Sequence, residues 1–217
     1  QGREAKAGDE AAGVVIELAD GRTFAASAVV GCDGVYSVAR RLLLPVEPAP
    51  LQYLGFLVVL AIFPSASFPL CRERAFQMSD GKTRIFAMPF DETHSMLQLS
   101  WAEEEPRARQ LAKGPDAGGP EAGRALLDEA LVRCAGWAHP IEDILRTTPT
   151  SLVSGYPAYD RPPLPAQETV PLGRADALAT LAGDAAHSMS PFKGQGANQA
   201  LLDGLCLAES LSRHLVP

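Results

Sequence analysis

The chain has 217 residues, 47% hydrophobic and 21% charged, which suits one good core or two small domains of a globular protein. A net charge of −7 and an isoelectric point near 5.1 argue against a nucleic-acid binder, which should present a basic face. An anionic ligand must therefore be held by backbone dipoles and a few local cations.

Cys32, Cys71, Cys134 and Cys206 have neither metal-ligand nor redox-motif spacing and read as reduced thiols of a soluble, intracellular, cytoplasmic protein. No stretch is long enough to span a bilayer, since the apolar run 54–63 is only strand length. No N-terminal targeting segment is expected from residues 1–10, which contain no apolar core.

In chain order, residues 13–18 read as a strand, Asp20-Gly21 as a tight hairpin turn, and 23–27 as the returning strand. Residues 28–31 form a second, fully apolar strand that ends in Cys32-Asp33-Gly34. Asp33 is placed to cap the following turn, which carries Ser37 and Arg40. Pro45, Pro48 and Pro50 mark a boundary. Residues 51–62, 73–78, 83–88 and 95–101 then read as strands of an antiparallel sheet, with Ser79-Asp80-Gly81-Lys82 as a turn. Residues 103–113 and 121–137 read as helices separated by a flexible loop at 114–120, and 141–145 as a short helix. Glu103 to Glu105 are expected to be a solvated helix start. Residues 152–159 return as an extended segment, and 160–165 lead back to the last part of the chain. Tyr156, Tyr159, Asp160 and Arg161 either line a substrate pocket or pack as a linker.

The last part holds the densest signal. The apolar run 177–182 predicts a buried strand and stops at Gly183-Asp184. A loop with Pro191, Gly194 and Gly196 follows. Ala197, Ala200, Leu201, Gly204, Leu205, Ala208 and Leu211 then recur at helical spacing. The order strand, carboxylate, glycine-rich loop, helix N-terminus suits a cofactor with a ribose and an electron-rich ring. A carboxylate at a strand end can accept from hydroxyls. The first N–H groups of the helix are unpaired and carry the positive end of its dipole. Glycines let a ligand lie close against the backbone. His187 is expected to shape this loop rather than to act as a base. Lys193 reads as a solvated side chain. Asp203 reads as part of the exposed helix face, with no role.

Gly183-Asp184-Ala185-Ala186-His187, Pro191 and Gly194-Gln195-Gly196-Ala197-Asn198 resemble the second flavin motif of the FAD-dependent aromatic hydroxylases, the para-hydroxybenzoate hydroxylase family. Asp33, Gly34, Ser37 and Arg40 resemble the same family's Asp-Gly motif. The resemblance implies an α/β (α+β) chain: a partial FAD-binding three-layer domain with an inserted antiparallel-sheet substrate domain. Residues 1–45 and 166–217 would belong to the first and 46–165 to the second. It further implies cofactor contacts at Asp33, Gly34, Arg40, Gly183, Asp184, Pro191, Gly194, Gln195, Gly196, Ala197 and Asn198, and no catalytic side chain, since the flavin carries the hard step. FAD would be reduced by NADPH or NADH, and one atom of O2 would pass to an aromatic or lipophilic small molecule.

The family's first motif, Gly-x-Gly-x-x-Gly, is missing. A fragment is the expectation, with a missing N-terminal part or a second chain completing the FAD site. An epoxidase, a reductase or a halogenase of the same fold, or a non-catalytic fragment unable to bind FAD alone, are the alternatives.

Overall fold

The protein's structure, a computed structural model, describes residues 13–44, 46–47, 49–113, 120–164 and 178–215. Pro45, Pro48, the loop expected at 114–120 apart from Pro120, and the return at 165–177 lie outside the described residues. The chain divides into two compact units, residues 1–52 with 159–217, and residues 53–158.

The second unit is built on a five-stranded sheet, in the order β5-β6-β7-β4-β8. Its strands are β4 (Gln52–Pro64), β5 (Phe76–Ser79), β6 (Thr83–Pro89), β7 (His94–Ala102) and β8 (Val153–Asp160). The pairs β5–β6, β6–β7 and β7–β4 are antiparallel, with Leu57 opposite Trp101 and Ile85 opposite Leu99. Period-two alternation sends Leu57, Val59, Ala61, Phe63, Ile85, Ala87, Leu97, Leu99 and Trp101 to one face, all 1% exposed or less. Against them pack α2 (Pro69–Glu73), α3 (Glu105–Lys113), α4 (Pro120–Arg133) and α5 (Ile141–Thr147), through Cys71, Ala108, Leu126, Ala130, Ile141 and Ile144. Each fully buried large side chain of this core contributes about 1.5–3 kcal/mol relative to exposure. The opposite face carries Phe56, Leu60, Ile62, Phe86, Met88 and Met96, partly covered or exposed.

Turn chemistry follows the sequence. Asp80 Oδ1 accepts from the backbone N–H of Lys82 (2.8 Å) and Thr83 (2.7 Å), closing the β5–β6 hairpin. Two expectations need correction. Residues 73–75 precede the strand rather than open it, because Pro69 starts the one-and-a-half-turn helix α2 ending at Glu73. Glu103 is not solvated: its side chain is 9% exposed, and it pairs with Arg107 (3.5 Å) and Arg133 (3.2 Å).

The first unit holds the hairpin β1 (Val14–Glu17) and β2 (Thr23–Ala26), and a parallel pair, β3 (Val29–Gly31) with β9 (Ala179–Leu181). Around the pair lie α1 (Val38–Leu43), the single turn α6 (Asp184–His187) and the long helix α7 (Gly196–Leu215). Gly31 makes the close approach of α1 possible. A Cβ there would stand 2.5 Å from Ala39 Cβ and 2.8 Å from Leu181 Cδ2. No helix among the described residues is long and apolar enough to cross a membrane.

Candidate flavin site

The parallel register decides the site. Val29 pairs with Ala179, Val30 with Thr180 and Gly31 with Leu181, and the N–H of Ala182 donates to Gly31 O (3.0 Å). Both strands therefore release their chains at the same end. Cys32-Asp33-Gly34 and Gly183-Asp184, 150 positions apart in sequence, emerge side by side at the carboxyl edge, where open α/β sheets bind ligands.

A cavity of about 530 Å³ opens there. Of the expected contacts, it is lined by Gly34, Gly183, Asp184, Gly196 and Ala197. Val30, Cys32, Ala182, Ala200, Gly204 and Leu207 complete its wall and were not singled out from sequence. The period of α7 could have found the last three, since Ala200, Gly204 and Leu207 follow Gly196 and Ala197 at spacings of three and four. Four of the lining residues are glycines. Gly34 (φ +78°) and Gly183 (φ +60°) hold backbone conformations that other residues rarely adopt.

The N-terminus of α7 borders the cavity. Its first intrahelical bond runs from Gln199 N–H to Gln195 O (3.0 Å), so the N–H groups of Gly196, Ala197 and Asn198 have no partner within the helix. A Cβ on Gly196 would stand 3.9 Å from Asp184 Oδ1, which places the carboxylate beside this positive helix end. Asp184 is exposed, and its side chain has no hydrogen-bond partner among the described residues.

The other expected residues build this geometry from outside the cavity lining. Pro191 opens a 3-10 turn, Pro191–Lys193, whose N-cap Ser190 accepts from Phe192 N–H. Gly194 ends it in the left-handed region at φ +61°, and its N–H donates to Pro191 O (3.1 Å). Asn198 Nδ2 donates to Gln195 Oε1 (3.4 Å). Asp33 caps α1: its carboxylate accepts from Ser37 Oγ and from the N–H groups of Val38 (2.6 Å) and Ala39 (3.0 Å). Partial desolvation pushes its pKa up, but these hydrogen bonds together outweigh it and hold the carboxyl below its ordinary value.

Arg40 is buried, with a side-chain exposure of 1%. Its guanidinium grips Glu47 through two bonds (2.7 and 2.8 Å) and donates to the carbonyls of Ala185 (3.0 Å) and Ala186 (2.7 Å). Arg161 joins the same carboxylate (3.1 Å) and donates to Ala49 O (2.9 Å) and Val35 O (3.1 Å). Its own N–H donates to Ser188 O (3.0 Å). Two guanidiniums on one carboxylate thus stitch the Asp33 loop to the Asp184 loop. The Arg40 hydrogen bond, ahead of the opposing desolvation, depresses the Glu47 pKa below its ordinary 4.5. Burial first, then the charge of Arg40, lowers the pKa of Arg161. Of the linker cluster, Arg161 is thus committed to this stitch, and Tyr159 meets Tyr36 edge to face at 6.3 Å.

Residues 175–216 match the model of a family described as an FAD binding domain. The chain is 33% identical over 200 residues to the aurachin C monooxygenase/isomerase of Stigmatella aurantiaca, covering 92% of this chain and 46% of that protein. It is 32% identical to the phenazine 1,6-dicarboxylic acid hydroxylase PhzS of Lysobacter antibioticus, covering 87% and 45%. Over most of its length the chain is similar to FAD-dependent monooxygenases and hydroxylases. Its fold is also that of Klebsiella pneumoniae HpxO, solved with FAD and uric acid, at a TM-score of 0.68 and 19% identity over 89% of this chain and 44% of that one. The chain spans about half the length of the curated relatives it matches.

The residues present fit a flavin. The glycine-lined cavity has the size of a small-ligand pocket. The Asp184 carboxylate could accept from hydroxyls of such a ligand, and the N–H groups that open α7 could donate to an electron-rich edge. The four cysteines then offer a readout. Cys71 and Cys134 are buried, and desolvation pushes Cys134 up to about 11, so neither should react. Cys32 and Cys206 are exposed, and only Cys32 lines the cavity. In a Cys206→Ser background, FAD should slow modification of Cys32 by a thiol reagent about tenfold, in proportion to site occupancy. An unchanged rate at saturating FAD would place the flavin elsewhere.

Proposed function

We propose that the whole protein is a monooxygenase in which NADPH or NADH reduces FAD and one atom of O2 is transferred to an aromatic or lipophilic small molecule. The observation that carries this reading is the cavity at the carboxyl edge of β3 and β9, with Asp184 and the N-terminus of α7 on its rim. When bound, the flavin supplies the redox and oxygen chemistry.

The chain's own residues bind and orient. Asp184 would accept from hydroxyls of the flavin's ribityl or ribose part. The N–H groups of Gly196, Ala197 and Asn198 would donate to the carbonyl edge of the ring and stabilise negative charge there by preorganised dipoles. Gly34 and Gly183 let the ligand approach the backbone. Asp33 and Arg40 hold the two loops in place rather than touching the cofactor, since their hydrogen bonds go to the protein. Pro191, Gly194 and Gln195 set the entry of α7.

The apolar outer face of the sheet, with Phe56, Leu60, Phe86 and Met96, suits an aromatic or lipophilic substrate. Tyr156 adds a hydroxyl to it, raised in pKa by burial against a lowering hydrogen bond from Gln98. A polypeptide segment outside these 217 residues completes the FAD site. Support comes from the exposed flank of α7, where Leu201 is 74% and Leu205 is 56% exposed, and from the relatives' greater length.

Asp184→Ala is expected to weaken FAD binding about ten- to a hundredfold in the full-length protein, the worth of a charge-assisted hydrogen bond. A flavin fluorescence titration checks this, and wild-type affinity in the variant would remove the basis of the assignment. Oxygenation is then separated from simple reduction by titrating candidate aromatic substrates while following NAD(P)H consumption, O2 uptake and product mass.

A further inference from the structure

We infer that Asp203, two turns into α7, is a positioning residue that fixes the backbone aiming Asp184 at the flavin cavity. Its Oδ2 accepts from the N–H of Gly183 (2.7 Å) and lies 2.7 Å from His187 Nε2. These two partners bracket α6: Gly183 immediately precedes Asp184, and His187 is the last residue of the turn. One carboxylate oxygen therefore clamps both ends of the element that carries the cofactor ligand. The sequence reading of Asp203 as exposed helix face is corrected by these contacts.

The clamp is needed because Gly183 cannot hold its own conformation. At φ +60° and ψ −143° it occupies a region that glycine enters freely and leaves as freely. An N–H held by a carboxylate selects that one conformer. His187 fixes the other end of α6, which keeps the direction of the turn as well as its start. Burial along α7 supports the assignment. Gln199, Asp203 and Leu207 form its partly covered stripe, while Leu201, Leu202 and Leu205 are exposed. A carboxylate thus occupies an inward position where an apolar residue is the default, with leucines outside. Because α7 is a single 20-residue helix, its N-terminal N–H groups and the Asp203 clamp move as one body. The helix thereby sets the distance between its own N-terminus and the Asp184 carboxylate.

This inference rests on the flavin reading. Its test compares Asp203→Ala, Asp203→Asn, Asp184→Ala and Asp184→Ala/Asp203→Ala in the full-length protein. FAD affinity is measured by flavin fluorescence and folding by circular dichroism. Asp203→Ala should weaken FAD binding about tenfold with a native spectrum. Asp203→Asn keeps an acceptor for Gly183 N–H and should recover to within about threefold of wild type. The double variant should bind no more weakly than Asp184→Ala alone, because Asp203 acts only through Asp184. Wild-type affinity in Asp203→Ala, or losses that multiply in the double variant, would overturn the inference while leaving the flavin reading intact. Absence of FAD binding by the wild-type protein would overturn both. If Asp203→Ala does not fold, His187→Ala, which frees the other end of α6, in the wild-type and Asp184→Ala backgrounds carries the same comparison. There, a loss with Asp184 present that disappears without it supports the clamp, and any other pattern overturns it.

Discussion

Glu47→Ala should destabilise the first unit by about 3 kcal/mol, the low end of the cost of removing one partner from a buried ion pair. The carboxylate stands between Arg40, 1% exposed, and Arg161, 8% exposed. Without it, two buried guanidiniums face each other with nothing to balance them. The exposed arginine pairs of the chain, such as Arg109 with Glu105, should contribute under about 1 kcal/mol each, because water already solvates both partners.

The pH dependence follows with a definite sign. The folded-state pKa of Glu47 is depressed, chiefly by the Arg40 hydrogen bond. Its contribution is therefore complete above the unfolded value, about 4.5, and is lost as pH falls through the folded pKa. The stability gap between wild type and Glu47→Gln should be largest near neutrality and close in acid below pH 4.5. Amide hydrogen exchange across α1 and α6 measures this without interference from the second unit. Wild-type protection in Glu47→Ala at pH 7 would show that the stitch is dispensable.

Gly123→Ala sets two effects of opposite sign against each other. Gly123 lies inside α4, where alanine is the better helix former by about 1 kcal/mol. Yet a Cβ on Gly123 would fall 1.9 Å from Thr150 O and 2.8 Å from its carbonyl carbon. Backbone cannot rotate away as a side chain can, so α4 must move off the 150–152 turn. Overpacking costs about 3 kcal/mol or more at such a contact, and it outweighs propensity. A net loss of about 2 kcal/mol is expected. Both tryptophans, Trp101 and Trp137, lie in the second unit, so tryptophan emission in urea follows that unit. A midpoint at or above wild type would mean that α4 repacks freely. Gly204→Ala, on α7, is the contrasting change, because no atom stands within 4 Å of its added Cβ.

Much of this protein is legible from local chemistry. Alternation over residues 95–101 marks β7, because a sheet covered on one side forces apolar residues onto every second position. Asp-Gly at 20–21 and 80–81 marks two hairpins, because glycine enters positive φ without steric cost. Helix α7 begins at Gly196, where the three- and four-residue spacing begins. The motif around Asp184 carries the resemblance to the aromatic hydroxylases. Helix α2 escaped because five residues are too short to display a helical period.

The pairing of β3 with β9 lies beyond any local pattern. It joins residues 150 apart and is set by which apolar strands find each other in the folded chain. That pairing brings Gly34 and Asp184 to one cavity. The roles of Glu47 and Asp203 are of the same kind. In sequence, one is a charge among prolines and the other a charge on a helix. Their work depends on partners at Arg161 and Gly183, brought within hydrogen-bonding distance by packing alone. Residue spacing records the period of a helix or a strand, and so it names the elements and the kind of ligand they suit. It carries no record of a contact between side chains far apart in the chain, and those contacts hold the Asp33 and Asp184 loops in register.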